Sequence, residues 1–204
     1  MISFRHVTLH FGERNVFRDF NLQIKPGDKL LLCSPSGSGK SCLLRMIMGV
    51  LAPTSGEITV GGLRVEPASC RAVMAMLGYM SQRIDFPNGR VDAVFHDMFR
   101  CTPQSLYSPQ RLKEALADAE LPPDILHASM NSLPANERQR LAWIYIMLLD
   151  RPLLLLDEPT SALNSRQMNF FINYTMTSNK TVICSSHDPE WRLQNMRRPG
   201  NFIN

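Results

Sequence analysis

The fold of this chain is decided by residues 30–41, which read Leu30-Leu31-Leu32-Cys33-Ser34-Pro35-Ser36-Gly37-Ser38-Gly39-Lys40-Ser41. A short apolar strand, a glycine-rich loop and the start of a helix form the layout of a phosphate-binding P-loop. The N–H groups of such a loop converge on phosphate, and the helix N-terminus adds the positive end of its dipole. Ser34 stands where the strict pattern has glycine. A Gly/Ser turn that merely precedes a helix is therefore the alternative interpretation.

The P-loop interpretation predicts a set of ATP-binding residues. Lys40 would reach the β- and γ-phosphates, and the Ser41 hydroxyl would bind Mg²⁺. ATP and Mg²⁺ are accordingly the cofactors that we expect. The predicted ATP-binding residues from this segment are Ser34, Pro35, Ser36, Gly37, Ser38, Gly39, Lys40, Ser41 and Cys42.

The composition limits the class of protein. The 204 residues suffice for one compact unit, or one domain with a small insertion. The net charge of +4 is spread along the chain, which favours an ordinary solvated surface over nucleic-acid binding. The five cysteines are odd in number and form no C-x-x-C pair, which indicates a reducing compartment without disulfides or a zinc site. No signal peptide or membrane-crossing stretch is recognisable, so we expect a cytoplasmic protein that reaches a membrane through a partner.

The order of apolar patterns predicts an α/β fold. Alternating residues near positions 2–9 and 20–24 predict an N-terminal antiparallel β subdomain. Later strands alternate with helices, and the unbroken run Leu153–Leu156 suits a parallel strand buried on both faces. From about Val91 to His127 the pattern changes to helices with charged faces and proline breaks, which predicts an inserted helical subdomain over about residues 82–136. We therefore expect a single domain, with residues 1–81 and 137–204 as the core and an inserted helical subdomain between them.

The segment Leu153-Leu154-Leu155-Leu156-Asp157-Glu158-Pro159-Thr160-Ser161-Ala162-Leu163 closely resembles the Walker B strand and following loop of ATP-binding-cassette ATPases. The resemblance covers essentially the whole chain. The P-loop, Gln82, the helical insert, Asp157-Glu158 and His187 follow one another in the order and approximate spacing of that family. It implies a P-loop NTPase core with a mainly parallel sheet.

Charge assigns roles to the two carboxylates, since ATP hydrolysis needs a metal on the phosphates and a base that orients water. Asp157 would hold the Mg²⁺ shell and Glu158 would position the attacking water. The resemblance implies that Gln82 senses Mg²⁺ and water and that His187 hydrogen-bonds the γ-phosphate. It also implies that Phe11 stacks on adenine, although Phe11 could equally belong to the core.

The signature loop of this family, Leu-Ser-Gly-Gly-Gln, is altered here. At its place the chain has Leu133 followed by Pro134, Ala135, Asn136 and Glu137. In the family, two cassettes dimerise head to tail and each signature loop caps the ATP of the other chain. Pro134 offers neither hydroxyl nor N–H, and the next two residues add side chains where glycine lets the backbone approach phosphate. The segment can also be explained structurally: Asn136 is a good N-cap residue, and Gln139 stands three residues later, at the capping-box spacing. The two explanations are compatible.

The alteration affects only the contacts that this chain would make to the ATP bound by a partner cassette. We therefore expect an ATP-hydrolysing subunit of a membrane transporter that pairs with a second cassette, as an asymmetric heterodimer, and with a transmembrane permease. A homodimer should hydrolyse ATP slowly. The alternative is a weakly hydrolysing, nucleotide-dependent clamp or regulatory protein. A cassette acting on ribosomes or DNA fits poorly, because those usually carry two cassettes or a long coiled-coil insert. Phe86 would lie on the permease-docking surface or anchor its loop.

Overall fold

The computed structural model describes residues 1–33, 37–102 and 105–199. It contains strands β1 (Ile2–Phe11), β2 (Arg14–Ile24), β3 (Lys29–Leu32), β4 (Ser55–Val60), β5 (Leu63–Arg64), β6 (Leu77–Met80), β7 (Leu153–Asp157) and β8 (Thr181–Ser185). Its helices are α1 (Lys40–Ile47), α2 (Cys70–Met74), α3 (Val91–Arg100), α4 (Pro109–Asp118), α5 (Ala135–Leu149), α6 (Ser165–Thr177) and α7 (Pro189–Leu193). Two short 3₁₀ helices, Pro123–His127 and Met130–Ser132, connect α4 to α5.

The strands form two four-stranded sheets. One is antiparallel with the order β2-β1-β4-β5, and the other is parallel with the order β3-β8-β7-β6. This arrangement confirms the predicted α/β class, with an antiparallel N-terminal sheet and a parallel core sheet.

The parallel sheet is buried on both faces, which explains the unbroken run of leucines in β7. Leu153 and Leu155 pack with β1, β2 and α1 in one hydrophobic cluster. Leu154 and Leu156 pack with α3, α4, α5 and α6 in a second cluster on the other face. Because side chains alternate across a strand, four consecutive leucines serve two separate cores.

The segment between β6 and α5 is helical and packs on the second cluster. The side chains of Val91, Phe95 and Leu116 are almost fully buried there. Ser108 caps α4 by accepting a hydrogen bond from the Arg111 N–H at 3.1 Å. Phe86 is half-buried and its ring lies 6.1 Å from that of Phe95, which favours its role as a loop anchor over that of an exposed docking residue.

The start of α5 corrects one prediction. The helix begins at Ala135, its N-cap is Pro134, and no side chain caps it. The expected capping box of Asn136 and Gln139 is therefore wrong: Asn136 lies inside the first turn, and Gln139 is buried on the inner face of the helix. Within residues 1–33, 37–102 and 105–199, no helix combines the length and apolar character needed to cross a membrane.

Candidate active site

A cleft of about 560 Å³ opens at the carboxyl ends of the parallel strands, beside the N-terminus of α1. Loops at this edge of an α/β sheet are the usual place for a ligand, because side chains from several strand ends converge there. The cleft gathers residues that are far apart in the sequence. It is lined by Phe11, Arg14, Val16, Gly37, Ser38, Gly39, Lys40, Ser41, Cys42, Gln82, Asp157, Glu158, Ser161 and His187.

The glycine-rich loop requires its glycines. Gly37 and Gly39 have φ of 79° and 92°, a region in which side chains are strained. A Cβ on Gly39 would also lie 2.6 Å from Cγ1 of Val16. The Ser38 hydroxyl is buried and has no hydrogen-bond partner among the described residues, which leaves it free for a phosphate oxygen. The predicted residues Ser34, Pro35 and Ser36 lie outside the described residues.

The turn between β1 and β2 forms the outer wall of the cleft. Phe11 and Arg14 are paired across a two-residue turn, and 52% of the Phe11 side chain is exposed. That exposure excludes a core role and suits stacking on a flat ring. A guanidinium N–H of Arg14 donates to the Gly37 carbonyl at 2.8 Å. The hairpin therefore holds the glycine-rich loop and adds a positive charge beside it.

Asp157 lies at the end of β7 with a hydroxyl on each carboxylate oxygen. Ser41 donates to Oδ2 at 3.2 Å, and Ser185 of β8 donates to Oδ1. Asp157 and Ser185 are register partners in the parallel sheet. Their pairing stabilises a carboxylate that is only 7% exposed, because a buried charge needs hydrogen-bond donors.

Glu158 follows with a left-handed backbone at φ 48°. Its Oε2 lies 3.4 Å from the Ser186 hydroxyl and accepts the His187 N–H at 3.3 Å. Its Oε1 is buried without a hydrogen bond among the described residues and lies 3.7 Å from Nε2 of His187. The same imidazole nitrogen lies 3.3 Å from Nζ of Lys40. A carboxylate, an imidazole and an ammonium group thus surround one space.

A second, smaller cavity of about 270 Å³ next to the first contains two of the remaining predicted residues, Gln82 and Ala135. Gln82 is exposed and lines both cavities. Ala135 lines the second, while Pro134 and Asn136 are exposed at the start of α5 and Glu137 is half-exposed. The altered signature segment is therefore largely exposed, and none of its residues lines the cleft that contains Lys40.

Comparison with known proteins identifies the family. A family model described as "ABC transporter" matches residues 17–161, more than half of the chain. This chain belongs to the ABC transporter family. It is an ATP-binding cassette of the ABC ATPase type, as the sequence resemblance predicted.

The curated relatives differ in how much of their own length this chain matches. The ergothioneine transport ATP-binding protein EgtV of Helicobacter pylori is 31% identical over 198 residues, covering 93% of this chain and 91% of that protein. The transport/processing ATP-binding protein ComA of Streptococcus pneumoniae is 28% identical over 193 residues, but this chain spans only 27% of its length. Several other curated relatives are likewise matched over a quarter to a third of their length.

Solved structures agree with the fold. The dimeric bacterial ABC transporter cassette MJ0796 superimposes with a TM-score of 0.81 at 25% identity, covering 93% of this chain and 89% of that one. A post-hydrolysis form of the same cassette, bound to ADP and phosphate, gives a TM-score of 0.75.

The oxygen donors of the site fit a Mg²⁺ ion that is bound mainly by the phosphates of a nucleotide. Among residues 1–33, 37–102 and 105–199, no group of three or more His, Cys, Asp or Glu side chains could hold a metal ion. The Asp157 carboxylate and the Ser41 hydroxyl nevertheless supply adjacent hard oxygens beside the glycine-rich loop. Mg²⁺ typically binds one or two such protein groups and completes its shell with phosphate oxygens and water.

Burial sets the chemistry of two further groups near the carboxylates. Burial raises the pKa of the Cys184 thiol well above its usual value, and the nearby Glu158 carboxyl adds to the rise. Burial likewise raises the pKa of the Tyr79 hydroxyl, with a contribution from Asp157. Both shifts favour the protonated, neutral form of these two groups beside the carboxylates.

Several residues of the site had no signal in the sequence. Arg14, Ser185 and Ser186 are single polar residues in or beside strands, and such residues are usually solvated or satisfied locally. Only the pairing of β7 with β8 and the position of the β1–β2 turn place them on the carboxylates and on the glycine-rich loop.

Proposed function

We propose that this cassette hydrolyses ATP to drive a membrane transporter, as one half of an asymmetric dimer with a second cassette. The observation that carries the proposal is the contrast between two surfaces of the chain. Lys40, Asp157, Glu158 and His187 meet in one cleft, whereas the segment that would cap the partner's ATP has lost its glycines and its hydroxyl.

Each residue of the cleft then has a role. Lys40 binds the β- and γ-phosphates, and Phe11 stacks on adenine. Glu158 is the base that orients the attacking water, and His187 donates to the γ-phosphate. Asp157 and Ser41, with Gln82, would hold Mg²⁺, which when bound neutralises charge on the phosphates. The free Oε1 of Glu158 supports this assignment, because it is the acceptor to which a water could donate.

The altered segment explains the expected asymmetry. Pro134, the N-cap of α5, has no N–H and no hydroxyl to donate to a facing phosphate. Glu137 brings a carboxylate to the first turn of this helix, where it would repel the phosphates of a facing nucleotide. A hydrogen bond to a charged group contributes about 1.5–3 kcal/mol. Its loss from the transition state slows a reaction roughly tenfold to a hundredfold.

The helical segment would connect the cassette to its membrane partner. We propose that residues 82–136 form a helical subdomain between the core segments 1–81 and 137–204. Its surface, with the loop after Gln82, would dock on a transmembrane permease at the cytoplasmic face of the membrane. Helices α3 and α4 share one hydrophobic cluster with α5 and β7, which would couple this docking surface to the strand that ends at Asp157.

Two experiments test the proposal. The first is affinity capture of this chain from detergent-solubilised native membranes, with mass spectrometry of its partners. A permease together with a second cassette carrying an intact signature supports the proposal. Capture of this chain alone would favour the alternative of a nucleotide-dependent clamp.

The second experiment restores the signature. The quadruple variant Pro134→Ser, Ala135→Gly, Asn136→Gly, Glu137→Gln should raise the ATP turnover of the isolated chain at least tenfold, because each protomer of a homodimer would then cap the other's ATP. The same variant with Glu158→Gln should bind ATP without turnover. Brisk turnover by the unaltered chain in the absence of any partner would contradict the asymmetric dimer.

A further inference from the structure

The loop from Glu158 to Ala162 is held by side chains from two other elements. It begins with Glu158 in the left-handed region at φ 48°, a conformation that costs a non-glycine residue free energy and persists only when its surroundings impose it. Glu158 itself donates its N–H to the Ser185 carbonyl of β8 at 2.9 Å, and side chains of α5 and α7 hydrogen-bond along the loop that follows.

Gln139 of α5 makes three of these bonds. Its Nε2 lies 3.4 Å from the Glu158 carbonyl and 3.3 Å from the Ser161 hydroxyl. Its Oε1 accepts the Ala162 N–H at 2.7 Å. The side chain is only 2% exposed. A buried amide that is satisfied in this way fixes both ends of the loop, because each unmade bond would leave a polar group desolvated.

Two tryptophans hold the middle of the loop. Trp143, one turn after Gln139 on the same face of α5, donates its indole N–H to the Pro159 carbonyl at 2.8 Å. Trp191 of α7 donates to the Thr160 hydroxyl at 3.0 Å. These are the only two tryptophans of the chain, so its intrinsic fluorescence reports on this loop.

We propose that Gln139 is a positioning residue for ATP hydrolysis, which acts by holding the backbone of Glu158 and the loop after it. This inference rests on the proposed role of Glu158 as the base. It divides α5 in two: the exposed start, with the altered signature, faces a partner, whereas the buried face serves the chain's own site. The chain can therefore lose the signature residues that would contact a partner's ATP and still keep Gln139, which positions its own Glu158.

The test compares three variants in single-turnover hydrolysis with protein in excess over ATP. Gln139→Met keeps the size of the side chain but makes no amide hydrogen bonds, and Gln139→Glu keeps an acceptor for the Ala162 N–H. Gln110→Met is the matched control, because Gln110 is exposed on α4 and bonds only to Glu114 of the same helix in the described structure. We expect Gln139→Met to lower the hydrolysis rate at least tenfold with the Kd of a fluorescent ATP analogue within twofold. Gln139→Glu should recover part of the rate, and Gln110→Met should match the unaltered protein.

A second readout does not depend on hydrolysis. Hydrogen exchange of the Ala162 amide should quicken at least tenfold in Gln139→Met and not in the control, and tryptophan emission should shift toward that of exposed indole. Unchanged exchange, or faster exchange with an unchanged hydrolysis rate, overturns the proposal. If Gln139→Met does not fold, Gln139→Glu must show faster exchange and a lower hydrolysis rate than the unaltered chain, and unaltered values for it would equally overturn the proposal. Failure of the proposed function is distinct, because Glu158→Gln would then hydrolyse ATP at the normal rate.

Discussion

Replacing Ser185 with alanine tests whether its hydrogen bond to Asp157 stabilises the fold more than the contact of Ser186 with Glu158. The Ser185 side chain is fully buried, and its hydroxyl donates to Oδ1 of Asp157. Alanine fills nearly the same space, so the main loss is the hydrogen bond to a buried carboxylate. Such a bond contributes about 1.5–3 kcal/mol. For a chain of this length, 1 kcal/mol corresponds to a shift of about 2–4 °C in Tm. We therefore expect Tm to fall by about 3–12 °C.

The neighbouring Ser186 provides the comparison. Its hydroxyl lies 3.4 Å from Oε2 of Glu158, which also accepts the His187 N–H. That contact is long and Oε2 itself keeps the His187 N–H, although the Ser186 hydroxyl also accepts the Asp188 N–H at 3.1 Å. Ser186→Ala should therefore cost about 1 kcal/mol.

Both variants would be unfolded in urea at pH 7 without nucleotide, with tryptophan fluorescence and far-ultraviolet circular dichroism as probes. Agreement of the two probes establishes that the free energies can be compared. A Ser185→Ala protein within about 0.5 kcal/mol of the unaltered chain would refute the reasoning, since surface substitutions commonly fall within that range. A larger loss for Ser186→Ala than for Ser185→Ala would refute it as well.

Three further predictions follow from single contacts. Arg14→Ala removes the guanidinium from the glycine-rich loop and should raise the Kd for ATP severalfold by calorimetry, whereas Arg18→Ala, exposed on the same strand, should leave it unchanged. Asn164 forms a capping box at the start of α6, so Asn164→Ala should lower the free energy of unfolding by about 0.5–2 kcal/mol, while Asn164→Asp should retain most of it. Burial raises the pKa of Tyr174 to about 12 from 10. The stability that the protonated Tyr174 hydroxyl contributes is therefore complete below about pH 10 and is lost as the pH rises toward 12. The free energy of unfolding of Tyr174→Phe should fall less steeply than that of the unaltered chain over this range. Equal pH dependence of the two proteins would contradict the assignment.

The sequence predicted the features that rest on local pattern. The run Leu153–Leu156 predicted a parallel strand buried on both faces, and both faces are occupied. The glycines around Lys40 predicted a strand-loop-helix unit, and α1 begins at Lys40. These predictions hold because strand and helix periodicities, and the need for glycine at positive φ, depend on neighbouring residues alone.

The predictions that failed or were missing involve partners distant in the chain. Asn136 and Gln139 had the spacing of a capping box, but Gln139 instead bonds the loop about twenty residues later. For Phe86 the sequence left two roles open, docking residue or loop anchor, and its packing against Phe95 favours the anchor. In both cases a tertiary contact decided the outcome, because it satisfies a buried polar group or removes apolar surface from water.

By itself, then, the sequence determined the order of the elements, the glycine-rich loop, the acidic pair after β7 and the loss of the signature residues. Only the tertiary structure decided which donors meet those carboxylates. The register of β7 against β8 places Ser185 on Asp157, and the docking of α5 places Gln139 on the loop after Glu158. The physical reason is that register and helix docking are set by the packing of whole faces, whereas each hydrogen bond depends on the position of one atom within that packing.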